Sequence, residues 1–446
     1  MNQKPKMGIV GVCSRVESGA QRYDELMSGA KAALEAAGLE VTIPAAAVYT
    51  PLEALAACDQ FKAAGVESVV VMDVTWVCDS LKYIFVQEMG TPVAFWAVPY
   101  TETFSIGCIQ NFGSVMKTEG IHYEYVYGLP SDAEVVAKLK SIAVAAQIVK
   151  KVKSMRVALV GPRQTWRVAG PQDMTTEEWE FSRTLGPTLV HMEMEEITDE
   201  AAKISDAEAE KTLAALKDRT GKVLATHETM VWMAKVYMAT KAMMETSGID
   251  ALAAECYPNY GGLMNQPSSW IEDDGYILDT EGDIAHAVIK YVLNMAGQGG
   301  CCALGEVGSM NDKDNFLSIA HEGSTPASLA QSLDQVQVSQ ENELGCFVGL
   351  PLKPMDKCTI CDLQGTAGNY QLLVATGSVL PATHEEWVEG GEKLLIKLRV
   401  DGCKPTEAVD KMMAAGLHHH IVVKEGDFTQ ALEIASRYLG IKVVNL

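Results

Sequence analysis

The chain has 446 residues, 48 % of them hydrophobic, with 36 basic against 58 acidic residues and a formal net charge of −22. That length supports two or three domains whose cores need no disulfide staples. The acidic balance argues against a general nucleic-acid surface, since phosphate binding needs a positive face, though it leaves room for a locally basic pocket. No uncharged apolar run reaches the roughly 18–20 residues of a membrane span. The opening MNQKPKMGIVGVCSR enters a strand-like stretch without a secretory leader's apolar core and cleavage site, so the expected location is the cytoplasm. Eleven cysteines is an odd count, and adjacent Cys301 and Cys302 in an apolar stretch suit reduced thiols. Cys358 and Cys361 form a CxxC with no second CxxC to complete a zinc site.

In chain order, KMGIVGVC (6–13) reads as a strand, 26–38 as a helix, 41–44 as a strand, 51–65 as a helix and the valine-rich 66–72 as a strand buried on both faces. This alternation predicts a parallel α/β domain over residues 1–152. Its first glycines lack the GxGxxG spacing of a dinucleotide fold. Trp76 and Trp96 lie where candidate strands end, in position to stack on the apolar face of a sugar, with core packing as the alternative reading.

The pattern restarts at RVALVGP (156–162), predicting a second α/β domain over 153–325. Arg163 and Trp166 follow this strand, and Arg163 is a candidate pocket cation. Met230, Met233, Met238, Met243 and Met244 fall on a long helix and suit a helix-facing core. IDALAAEC then places Glu255 at the end of an apolar strand, where a carboxylate is costly unless paired, hydrogen-bonded, exposed or bound to metal. Pro258, Gly261 and Gly262 open the chain into a loop. In TEGD (280–283) Asp283 reads either as part of a helix cap or as a carboxylate facing an ion, with Glu281 as its less certain neighbour. His321 precedes Glu322 and Gly323 at a turn.

From residue 326 to 446 short strand-like pieces separated by turns predict a smaller β-rich domain. A short helix there delivers His418, His419 and His420. The fold class expected is therefore two doubly wound parallel-sheet domains followed by a smaller β-rich C-terminal domain.

Glu255, Asp283 and His420 are far apart in sequence and meet only by folding. Two carboxylates and one imidazole suit Mn²⁺ or another divalent cation, with places left for two sugar oxygens. Such an ion would stabilise charge on a carbonyl oxygen during enolisation, and the same carboxylates, Glu255 and Asp283, can exchange protons with the sugar. The reaction expected is a cis-enediol conversion of an aldose into its ketose.

AECYPNYGG (254–262), DTEGDI (279–284), HEG (321–323) and HHH (418–420) together resemble the centre of the L-fucose/L-arabinose isomerase family, closer to the fucose isomerase branch. The resemblance implies a metal set of Glu255, Asp283 and His420, with His419 as the close alternative to His420. It leaves open whether His321 touches the ion or the sugar. SR at 14–15 and TW at 75–76 are broad N-terminal likenesses, from which Arg15, Trp76 and Trp96, with His321 and His419, are the implied substrate-binding residues. The resemblance also implies a homo-oligomer, trimer or hexamer, with active sites near subunit interfaces. A sugar bearing a sulfonate or other anion, met by Arg15 or Arg163, fits the same plan. The competing readings are a non-catalytic sugar-binding or regulatory protein, and a metal-assisted sugar epimerase or lyase.

Overall fold

In a computed structural model the chain is described over residues 3–161, 178–256, 259–366 and 368–446. It divides into two compact units, one of Asn2–Lys151 with Gln430–Leu439, the other of Val152–Thr429 with Gly440–Leu446. No helix among the described residues is long and apolar enough to cross a membrane.

The first unit carries a parallel sheet of β1 (Lys6–Val12), β2 (Glu40–Thr42), β3 (Ser68–Asp73), β4 (Val93–Ala97) and β5 (Glu124–Tyr127), in the order β2-β1-β3-β4-β5. Every residue of β3 is buried, as a valine-rich strand covered on both faces requires. The helix Pro51–Ala63 starts at a Thr50/Glu53 capping box with proline in its first turn, and packs Ala54, Ala57, Cys58 and Phe61 into the core. A Cβ on Gly8 would come within 2.9 Å of the Phe61 ring, so this glycine serves close packing of helix on strand. Asp73, at the end of β3, pairs with Lys82 at 2.9 Å with both side chains fully buried.

The second unit begins with β6 (Arg156–Val160), β7 (Thr188–Met192), β8 (Lys222–Val223), β9 (Ala251–Ala254) and β10 (Leu278–Asp279). Four of these form a parallel sheet in the order β10-β9-β6-β7. The helix His227–Ser247 packs Met230, Met233 and Met244 into the core beside it, with Met238 and Met243 at its edge, as the methionine pattern suggests.

The remaining strands are β11 (Ala303–Asn311), β12 (Phe316–His321), β13 (Gln337–Gln340), β14 (Cys346–Pro351), β15 (Met355–Thr366), β16 (Asn369–Leu380), β17 (Leu394–Val400), β18 (His420–Glu425) and β19 (Lys442–Asn445). With β8 they make a ten-stranded mixed sheet, β19-β16-β15-β18-β11-β12-β17-β14-β13-β8. Because β16 also pairs with β17, the run from β16 through β15, β18, β11 and β12 to β17 closes into an antiparallel barrel. Closure leaves those six strands without a free edge. The β-rich C-terminal part is thus the largest sheet of the molecule rather than the smaller appendage expected. Short strands and turns read singly do not reveal how many will join.

The helix Ile284–Ala296 packs against β6, β9 and β10 on one side and against β15 and β18 on the other. That position explains why every residue of it but Tyr291 is buried. It also brings the carboxyl ends of β9 and β10 to the barrel strands that carry the histidines.

Candidate metal centre

Ala253 of β9 lies opposite Asp279 of β10 in a parallel register, and Glu255 follows two residues later with its amide donating to the Val160 carbonyl at 2.8 Å. Glu255 and Asp279 are both buried strand-end carboxylates. Gly161 makes room for the first of them. Its φ is +105°, and a Cβ there would stand 2.8 Å from Glu255 Cβ and 3.0 Å from Oε2. The Asn259 amide donates to Glu255 Oε1 at 3.3 Å.

Asp279 shapes the turn that follows it. Its Oδ1 accepts from the amides of Glu281 at 3.0 Å and Asp283 at 3.3 Å. Its buried Oδ2 has no hydrogen-bond partner among the described residues.

Asp283 is the N-cap of the helix Ile284–Ala296: Oδ1 accepts from the amides of Ala285 at 2.8 Å and His286 at 3.1 Å. Its Oδ2 makes an ion pair with His286 Nδ1 at 2.8 Å, and His286 Nε2 lies 3.2 Å from Asp362 Oδ1 in β15. Burial is the largest influence on both members of the pair. It pushes the Asp283 carboxyl up, but His286, with help from His418, outweighs it and holds the carboxyl below its ordinary range. Burial likewise pushes the His286 imidazole down, and Asp283 and Asp362 together raise it well above its ordinary value. Asp283, His286 and Asp362 thus form a buried chain in which the imidazole stands between two acid side chains.

Ion-binding geometry appears beside this chain. Glu281, His321 and His420 each offer one ligand atom within 4.8 Å of the others, and Glu306, His419 and His420 do the same. His321 Nε2 is 3.0 Å from Glu281 Oε1, while its Nδ1 accepts from the Gly323 amide at 3.4 Å. Burial, the largest influence, pushes the His321 imidazole down, and Glu281, Glu306 and Asp279 more than reverse it, so its pKa is raised. His420 Nε2 is 3.3 Å from Glu306 Oε1, and the His321 and His420 rings lie 5.6 Å apart. Antiparallel pairing fixes part of this, since Glu306 of β11 stands opposite His420 of β18. One carboxylate and two imidazoles are a donor set that can hold a divalent ion.

Of the residues expected to hold an ion, His420 belongs to both groups, while Glu255 and Asp283 belong to neither. The oxygens of Asp283 are already engaged by the helix cap and His286. His321 stands in the buried group and His419 in the more exposed one. In the first unit Trp96 is fully buried in β4, its indole N–H donating to the Gly128 carbonyl at 2.9 Å, so its ring offers no face to a sugar. Trp76 is 36 % exposed, and Arg15 is exposed with its guanidinium 4.8 Å above the Tyr49 ring. Arg163, Trp166 and Pro258 lie outside the described residues. All eleven cysteines are free, and burial raises the thiol pKa of both Cys358 and Cys361.

Sequence reasoning missed Asp279, His286, Glu306 and Asp362. Asp279 closes an apolar strand just as Glu255 does, and that was the available signal. His286 sits one helical turn beyond an acidic N-cap, and Asp362 is a lone charge in the apolar run CTICDL.

No protein-family model matches the chain. The chain is similar to the sulfoquinovose isomerase of Alkalicoccus urumqiensis, at 22 % identity over 396 residues, covering 85 % of this chain and 86 % of that protein. The sulfoquinovose isomerase of Priestia megaterium is 22 % identical over 403 residues, covering 86 % of each. That of Clostridium sp. (strain MSTE9) is 23 % identical over 318 residues, covering 70 % of this chain and 69 % of that protein. The expected kinship is corrected by these matches: the likeness runs to sulfoquinovose isomerases and not to the L-fucose and L-arabinose isomerases.

Proposed function

We propose that the chain is a divalent-metal-dependent aldose–ketose isomerase that works through a cis-enediol, on an aldose carrying a sulfonate such as sulfoquinovose. The observation that carries this reading is the group of Glu281, His321 and His420, with the buried carboxylate of Asp279 holding the Glu281 amide. The similarity to sulfoquinovose isomerases supports the substrate class. A bound divalent ion would supply Lewis acidity toward the sugar's carbonyl and neighbouring hydroxyl oxygens.

The chain's own residues do the rest. Glu281, His321 and His420 are the proposed ligands, with Asp279 Oδ2 as a further oxygen. Glu255 is the proposed proton carrier: it takes the proton from C2 and returns it to C1, while the proton of the C2 hydroxyl passes to the C1 oxygen. Electrons stay within the sugar, so the balance needs no nicotinamide or flavin. Asp283 remains a carboxylate and orients His286, which stands edge-on to His420 with ring centres 5.6 Å apart.

The test is to strip the protein of metal, add or withhold Mn²⁺, and follow neutral, deoxy, phosphorylated and sulfonated aldoses in D₂O by NMR. Ketose formation with deuterium at C2 of the recovered aldose, dependent on metal and lost in Glu255→Gln, is the expected result. Tight sugar binding with neither product nor exchange would favour a binding protein instead.

A further inference from the structure

The two ion-binding groups have the same composition, one glutamate and two histidines, and they share His420. They differ in access. In the inner group the side chains of Glu281, His321 and His420 are 10 %, 2 % and 2 % exposed. In the outer group Glu306 and His419 are 45 % and 53 % exposed. The His420 ring lies 4.1 Å from that of His419 in the outer group and 5.6 Å from that of His321 in the inner one, so the two groups adjoin.

A neutral imidazole has one lone pair to give, so His420 serves one ion at a time. The two groups are therefore filled in turn rather than together. Burial orders them: the inner group is nearly closed to water, where low surrounding polarity strengthens its attraction for a cation, and the outer group is half open. A hydrated ion reaches Glu306 and His419 first, because the buried group can be filled only after most of the hydration shell is gone.

We propose that Glu306, His419 and His420 form a loading station for a divalent cation, from which His420 hands the ion to Glu281 and His321. This rests on the metal-dependent reading above. The backbone suits the role: Glu306 and His420 are held face to face by strand pairing, so the outer pair is preformed. His419 precedes β18 and adds a half-exposed donor.

The test uses metal-stripped full-length protein and Mn²⁺ alone. Bound ion at equilibrium is measured from loss of the EPR signal of free Mn²⁺, and the loading rate by stopped flow against a Mn²⁺-responsive dye. Wild type, Glu306→Gln and His419→Asn are compared, the second variant standing in if the first does not fold. One ion per chain is expected, with loading slowed about tenfold or more in both variants while Kd changes less than about threefold, because release slows as well. Unchanged loading, two ions per chain, or a Kd weakened as much as loading is slowed would each overturn the loading role. If wild type binds no Mn²⁺, the metal-dependent reading itself fails, a result separable from the others before any variant is made.

Discussion

Asp279, Glu281 and Asp283 follow one another within five residues, yet their oxygens are spent in three different ways. Asp279 ties the turn with one oxygen and leaves the other unpartnered, Glu281 faces His321, and Asp283 caps a helix and holds His286. Glu281→Gln is therefore expected to weaken Mn²⁺ binding by more than the roughly 10–100-fold typical of an outer-shell partner, measured by EPR titration. Asp283→Asn leaves His286 without its closer counter-charge, and is expected to cost about 3 kcal/mol in urea unfolding while changing Mn²⁺ affinity by less than about tenfold. The reverse ranking of the two variants would restore Asp283 as an ion ligand. Single residues were only partly legible in the sequence. Glu255 is conspicuous because a carboxylate closing an apolar strand demands a reason. Asp279 meets the same criterion but sits against TEGD, where capping offers an easier account. The pairing of His286 with Asp362 spans 76 residues, and no local periodicity carries it.

At the scale of elements, Gly161 ends β6 where Glu255 passes the neighbouring strand end, in a backbone conformation that side chains rarely adopt. Gly161→Ala combines that strain with a clash into Glu255, and is expected to destabilise by about 1–3 kcal/mol and to lower turnover of the sugar, read by urea unfolding and NMR assay. In the other unit the end of β3 makes a separate prediction. Burial pushes the Asp73 carboxyl up to about 6, even with Lys82 pulling it down at 2.9 Å. Between about pH 4 and 6 the folded chain keeps a proton that the unfolded chain has released, so stability falls as pH rises through this window. Asp73→Asn, which mimics the protonated carboxyl, should be close to wild type near pH 4, should lack that slope and should therefore be the more stable of the two above about pH 6. Urea unfolding of both proteins across the window checks the difference. Strands and helices such as β3 and the helix Pro51–Ala63 were legible because valine runs, capping residues and proline act locally. The barrel was not, since the β16–β17 pairing that closes it follows from the register of several strands at once.

For the whole molecule, the sequence supported an α/β chain with a β-rich C-terminal region, and the structure adds that this region is the largest sheet and that its β18, β11 and β12 carry the histidines and Glu306. The acidic residues and histidines advertise an ion site to any reader of the sequence, but kinship depends on similarity along the full chain. That is why the motifs pointed to one isomerase family and the full-length matches to another. The measurement that bears most directly on the central claim is the anomalous difference map of a crystal of the protein loaded with Mn²⁺. One peak within bonding distance of Glu281, His321 and His420 is the expected result. A peak held by Glu255 and Asp283 with His420, or no peak at saturating Mn²⁺, would contradict it.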